Sequence, residues 1–327
     1  MPPRPTNSAA SGRKATTAPP AKSKPTTPKP TKATESKPAT SKPAGPKSAE
    51  SKLVEAGPES IPASPVHVGI GGWTFAPWRG VFYPAGLPHA KELGYAASRL
   101  TSIEINGTFY RTQTPATFRK WASEVPDGFV FSVKGPRYVT NRHDLAEAGE
   151  SIERFVNSGV TELGDRLGPL LWQFPPTKKF EATEFAGFLE LLPREFAGQR
   201  LRHVFEVRHP SFCVPAFVAL LRRFETPVVY SEHETYPAIA DVTGDFLYLR
   251  LQKGDDQVPT CYPETGIAAW ADRVRGWLAG RPPADLPHLD AGAKPAKPIR
   301  DVYVYFIHEG KVRAPAGAVA LIEQLRS

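Results

Sequence analysis

Large apolar side chains are almost missing from the first sixty residues of this 327-residue chain. Residues 21–50 read "AKSKPTTPKPTKATESKPATSKPAGPKSAE". Such a segment cannot bury enough apolar area to offset the entropy lost on ordering it, so residues 1–63 are expected to be a disordered Lys/Pro/Ala/Ser/Thr-rich tail. The segment has no apolar core of a secretory signal, and its scarcity of Arg speaks against an organelle transit peptide. No long apolar run occurs elsewhere, which excludes a membrane-spanning helix and leads us to expect a cytoplasmic protein with no membrane partner. Cysteine is scarce too. Cys213 and Cys261 make neither a disulfide framework nor a metal-ligand spacing. No GxGxxG opens a helix, and there is no P-loop, GxSxG elbow or HExxH. These absences remove the dinucleotide, Walker-type, nucleophile-elbow and zincin readings. No cofactor is expected.

Charge is unevenly distributed. Residues 1–60 hold 11 Lys+Arg and 4 Glu, a net of +7 within a chain of +8. The remainder is nearly balanced, with 30 basic against 29 acidic residues. A weak contact with nucleic acid or another polyanion is therefore expected to run through the tail.

From residue 64 to 327 the composition becomes that of one large α/β domain. Strand-like runs fall at 67–72, 102–106, 129–134, 169–174, 203–208, 227–231, 245–251 and 302–307. Helical patterns lie at 89–99, 115–123, 151–163, 182–196, 214–224, 266–279 and 315–326. Eight strands alternating with helices predict a (β/α)8 TIM-type barrel. About a dozen residues, "EHETYPAIADVTG", separate strands six and seven, too few for a helix with its loops, so the barrel is expected to be imperfect there. The Pro-rich run 280–298 reads as a spacer on the face away from chemistry.

In such a barrel, inward positions near the C-terminal strand ends face the mouth. Strand two offers Glu104 and Asn106, two residues apart and hence on one face. Strand three offers Lys134, strand four Gln173, and strand five Glu206 and Arg208 with His209 beyond. Strand six supplies Ser231 with Glu232 and His233 following, strand seven Arg250 and Gln252, strand eight His308. Any one of these charges fits a structural ion pair. Their recurrence at equivalent strand ends, where each buried ion costs several kcal/mol, points to a site. The first loop, "GGWTFAPWRGVFYP" at 71–84, adds Trp73, Phe75, Trp78, Phe82 and Tyr83, which either wall a pocket or pack the loop down.

The series "GIGGWTF", "IEINGTFYR", "FVFSVKGPRYVT", "LWQFPP", "FEVRHPSF", "FLYLRL" and "VYVYF" resembles the YecE-like family, a domain of unknown function, from about residue 66 to 326. The resemblance implies a TIM-type barrel and no established reaction. It covers Trp73, Glu104, Asn106, Phe109, Tyr110, Lys134, Gln173, Glu206, Arg208, His209 and Arg250. Two places depart from the family pattern. Gln252-Lys253-Gly254 stands where many relatives have His–Gly after the strand-seven Arg, and Phe306-Ile307-His308 stands in place of Phe-Asn-Asn.

Three functions compete. An enzyme on a small anionic or sugar-phosphate-like substrate would use Lys134, Arg208 and Arg250 for the anion and Glu104 or Glu206, with Lys134 and His209, for acid–base chemistry. Trp73, Asn106, Tyr110, Gln173 and His308 would complete the substrate pocket. A divalent-metal variant on Glu104, Glu206 and a His is disfavoured by the cations aimed at the same mouth. The alternatives are a barrel that binds or processes damaged DNA and a non-catalytic ligand-binding barrel.

Overall fold

The computed structural model describes residues 64–290 and 297–327. The tail expected to be disordered, part of the Pro-rich spacer and the side chain of His308 lie outside the described residues. Eight strands form one parallel sheet: β1 (Val66–Gly71), β2 (Ser102–Ile105), β3 (Val130–Lys134), β4 (Leu167–Gln173), β5 (His203–Glu206), β6 (Val229–Glu232), β7 (Phe246–Lys253) and β8 (Asp301–Glu309). Their order, β5-β4-β3-β2-β1-β8-β7-β6, returns on itself through a parallel bridge between Phe205 and Val228. The Phe205 N–H donates to the Pro227 carbonyl at 3.1 Å. This seam is thin because Pro227 has no N–H to return a ladder bond.

The expected irregularity between strands six and seven is visible as a missing helix: residues 233–245 contain no helical turn. The β6–β7 ladder itself is regular from Val229↔Tyr248 to Glu232↔Leu251. Elsewhere helices follow the strands and take local cues from sequence. Helix Pro115–Ser123 has proline in its first turn, and the Thr114 hydroxyl accepts from the Thr117 N–H at 3.3 Å. Helix Ala182–Leu191 is capped by the Glu181 carboxylate, which accepts from the Thr183 and Glu184 N–H groups at 3.2 and 2.7 Å. It stops short of the expected 196, as Pro193 is followed by a two-stranded turn pairing Glu195–Phe196 with Gln199–Arg200. The helix expected over 151–163 is split: an α-helix covers Gly149–Val156, Gly159 turns the chain at φ 97°, and a 3-10 segment covers Val160–Arg166.

Strand periodicity sorts the side chains into two cores. Outward residues such as Val68, Ile103, Phe131, Phe205, Val207 and Leu249 pack against the helices. Inward residues Leu171, Val204, Val229, Phe246, Tyr248, Tyr303 and Tyr305 fill the barrel. β1 contributes glycine to this interior. A Cβ on Gly69 would lie 1.8 Å from the Ser102 carbonyl oxygen. One on Gly71 would lie 2.8 Å from Ile307 Cγ2 and 2.9 Å from Asn106 Nδ2.

Candidate active site at the barrel mouth

The upper interior is ionic. Glu104 on β2 and Glu206 on β5 are both fully buried, and Arg250 on β7 lies between them. Its Nε donates to Glu104 Oε2 at 3.1 Å and its Nη2 to Oε1 at 3.0 Å, a bidentate fork. Its Nη1 donates to Glu206 Oε2 at 2.6 Å. Glu104 Oε2 also accepts from the Tyr248 hydroxyl at 2.7 Å. The second Glu206 oxygen accepts from Arg208 Nη2 at 3.1 Å. The same Nη2 donates to Gln173 Oε1 at 2.7 Å. Arg208 is held from above by Tyr236, whose ring centroid lies 4.4 Å from its guanidinium carbon.

Lys134, at the end of β3, completes the group. It is 7% exposed. Its ammonium sits 4.6 Å from the Phe109 ring centroid. Among the described residues it has no hydrogen-bond or ion-pair partner. Burial first, and then the Arg250 charge, push its pKa down to about 8; Glu206 and Glu104 oppose this and Arg208 adds to it. Burial alone would raise the Glu206 carboxyl, but Arg250, Arg208 and Lys134 hold it down to about 2. Arg250 is driven still further into its charged form: burial opposes this, and the two carboxylates outweigh it. Five ionic groups from β2, β3, β5 and β7 thus share one floor, and the balance is three cations against two carboxylates.

Above the floor opens a cavity of about 500 Å3. Lys134, Gln173, Arg208 and Arg250 line it together with Asn106, Tyr110 and Gln252. Tyr110 stands 73% exposed at the rim. Gln252 is buried, and its Nε2 has no hydrogen-bond partner. The far wall is Trp78, Phe306 and Ile307, with Glu309 at the end of β8 and Lys311 on the loop after it. Trp78 is fixed there because its indole N–H donates to the Lys311 carbonyl at 2.7 Å.

Two residues expected at the mouth are placed elsewhere. Trp73 turns outward to meet Trp121 edge-on at 5.2 Å and does not line the cavity. The aromatic from that loop that does is Trp78. His209 also stays out of the lining. Its Nδ1 accepts from the Ser211 N–H at 3.1 Å and so caps the short turn Pro210–Phe212. Proline at the following position makes that turn local, which is why an imidazole beside Arg208 in sequence is not beside it in the site. Glu232 pairs with the Tyr262 hydroxyl at the end of β6. Trp78, Phe306, Glu309, Lys311 and Tyr236 were not singled out as site residues. Only the aromatic richness of 73–83 marked the first, and loop-borne Lys311 and Tyr236 carry no strand-end signal. Among the described residues, no group of three or more His, Cys, Asp or Glu side chains could hold a metal ion. None of the helices there is long and apolar enough to cross a membrane.

Comparison with known proteins agrees with this architecture. The family model described as "protein of unknown function DUF72" matches residues 67–327, and the YecE-like name denotes the same family. The UPF0759 protein YunF of Bacillus subtilis is 26% identical over 116 residues, 34% of this chain and 40% of that protein. The match thus spans less than half of that relative. A DUF72 family crystal structure from Thermotoga maritima superimposes with a TM-score of 0.60 at 22% identity, covering 80% of this chain and 99% of the other. One from Enterococcus faecalis gives 0.57 at 16% identity, covering 80% and 96%. At these identities the solved structures speak for the shared fold alone.

Proposed function

The chain belongs to the DUF72 family, and from the charge balance of its barrel mouth we propose that it is an enzyme acting on a small anionic substrate. The observation that carries this reading is the excess of donors on the cavity floor. On the floor Lys134, Arg208 and Arg250 meet two carboxylates, Glu104 and Glu206, while the far wall adds one charge of each sign, Glu309 and Lys311. Among the described residues Gln252 Nε2 is a buried donor with no hydrogen-bond partner, and Lys134 turns its amine to the open cavity. Leaving a buried donor such as Gln252 Nε2 unmatched costs about 1–3 kcal/mol, and a ligand that brings oxyanion acceptors recovers it and offers the amine a counter-charge. A cation would meet the opposite field.

The division of labour follows from the pKa values. Glu206, held near 2, is ionised at neutral pH and donates no proton, so its role in this reading is to fix Arg250 and Arg208. Glu104 anchors the other side of Arg250. Lys134, near 8, exchanges a proton close to physiological pH and is the acid–base group. Arg208 and Gln173 orient the anion, with Asn106 and Tyr110 at the rim. A cytoplasmic location belongs to this reading, as does a weak polyanion contact through residues 1–63.

Calorimetric titration with oxalate, phosphate and glycerol 3-phosphate tests it. At least one is expected to bind with one-to-one stoichiometry and to bind at least about tenfold more weakly to Lys134→Met, the loss of one charge-assisted hydrogen bond. Absence of binding by all three overturns the reading. Tight DNA binding that persists without residues 1–63 would instead favour a nucleic-acid barrel.

A further inference from the structure

Lys134 differs from its ionic neighbours in having nothing to hold. Arg250 spends all three of its nitrogens on carboxylates, and Arg208 is shared among Glu206, Gln173 and Tyr236. The Lys134 amine sits against the Phe109 ring and lines the open cavity. A lysine recruited only to neutralise carboxylates would be expected within ion-pair distance of one. This one is added to a floor where two arginines already match two carboxylates. Such an environment disfavours its proton and leaves about a tenth of the amine neutral at pH 7. A desolvated amine next to another cation is an activated nucleophile toward carbonyl carbon.

We propose that Lys134 forms an imine with the carbonyl carbon of a short 2-oxo acid bound in the barrel mouth. The proposal rests on the small-anion reading and names its substrate class. The amine and the Arg208 guanidinium line one cavity and feel each other's charge, so a ligand whose electrophilic carbon adjoins its anionic group, as in a 2-oxo acid, suits both. Arg208 Nη1, whose nearest partner is the Tyr236 hydroxyl at 3.4 Å, is the donor with capacity for the carboxylate. The unmatched Gln252 Nε2 is the buried donor available to the carbonyl oxygen.

The step balances without an oxidant or reductant. The Nζ lone pair attacks the carbonyl carbon, and the C–O π pair moves onto oxygen, which takes up a proton from the nitrogen. The nitrogen lone pair then forms the C=N bond as the hydroxyl leaves with the second proton as water. Amine plus ketone gives imine plus water, and hydrolysis reverses it. The carbon next to the imine is thereby acidified, which opens proton abstraction or carbon–carbon bond chemistry.

Reductive trapping tests this on the full chain. Pyruvate and cyanoborohydride, which delivers hydride to the C=N bond, are incubated with the protein, and adducts are located by peptide mass spectrometry. Lys134 is expected to label at least about tenfold faster than exposed Lys120, in keeping with its lowered proton affinity. Its labelling is expected to rise with pH through about 8. Lys134→Met, which removes a buried charge and is expected to fold, should lose the fast adduct. Equal labelling of Lys134 and Lys120, or labelling confined to surface lysines, would overturn the imine. Oxalate binding, measured in parallel, separates the two readings because oxalate has the charge without a ketone. Anion binding without trapping leaves the small-anion reading and removes the imine, whereas no trapping and no binding of oxalate, phosphate or glycerol 3-phosphate removes both.

Discussion

The lower and upper halves of the barrel interior use similar residue types to opposite ends. In the lower half, Tyr303, Tyr305 and Tyr248 stack among Leu171, Val204, Val229 and Phe246. The tyrosine hydroxyls are all matched: Tyr305 with Ser102 at 2.7 Å, Tyr248 with Ser132 at 2.8 Å and with Glu104, Tyr303 with Arg202. Gly69 lets the chain close tightly around this layer. In the upper half, among the described residues, the buried Gln252 Nε2 and Ser231 Oγ lack hydrogen-bond partners, and the Lys134 amine faces the open cavity. The difference teaches where to look for function in a protein of this kind. A buried network that closes on itself is structure, and one with donors left over is waiting for a ligand.

The most damaging way to break this contrast is to unbalance the floor. Glu206→Gln removes one of two carboxylates facing three cations, leaving Arg250 and Arg208 short of a counter-charge. The expected loss is roughly 3–5 kcal/mol, read by chemical denaturation at pH 7. The acid limb carries the same information. With its carboxyl depressed from the ordinary 4.5 to about 2, Glu206 contributes stability that is present above about pH 4.5 and is lost as pH falls toward 2. Glu206→Gln should be flatter across that window. A variant as stable as wild type would show that the carboxylate is not what holds the two arginines.

A milder change sharpens the boundary between the halves. Tyr248→Phe removes the hydroxyl that reaches up from the tyrosine layer to Glu104. Because Arg250 still forks onto that carboxylate, the expected cost is about 1–2 kcal/mol of unfolding free energy, with anion binding weakened only slightly. A collapse of anion binding would mean that the layers are one functional unit.

The barrel was legible because periodicity and length repeat eight times, and strand positions survive errors of a residue or two. The ionic floor was legible for the same reason. Glu104, Lys134, Glu206 and Arg250 sit at inward strand ends, where a two-residue period fixes the face. What could not be read lies where the chain leaves that period. His209 follows the strand by three residues, and its direction was decided by a proline turn. Trp73 and Trp78 share one loop, and only packing against Trp121 or the Lys311 carbonyl sends one outward and the other to the cavity. The thin β5–β6 seam was not anticipated, because the irregularity was expected between strands six and seven and which edge Pro227 faces is a tertiary fact.

The most direct test of the excess-cation floor is the titration of Lys134 itself, followed by the chemical shift of its side chain in isotopically labelled protein, with and without oxalate. The expected result is a midpoint near pH 8 in the free protein, rising when the anion binds because a bound negative charge favours the protonated amine. A midpoint at the ordinary 10.5, unmoved by oxalate, would contradict the account.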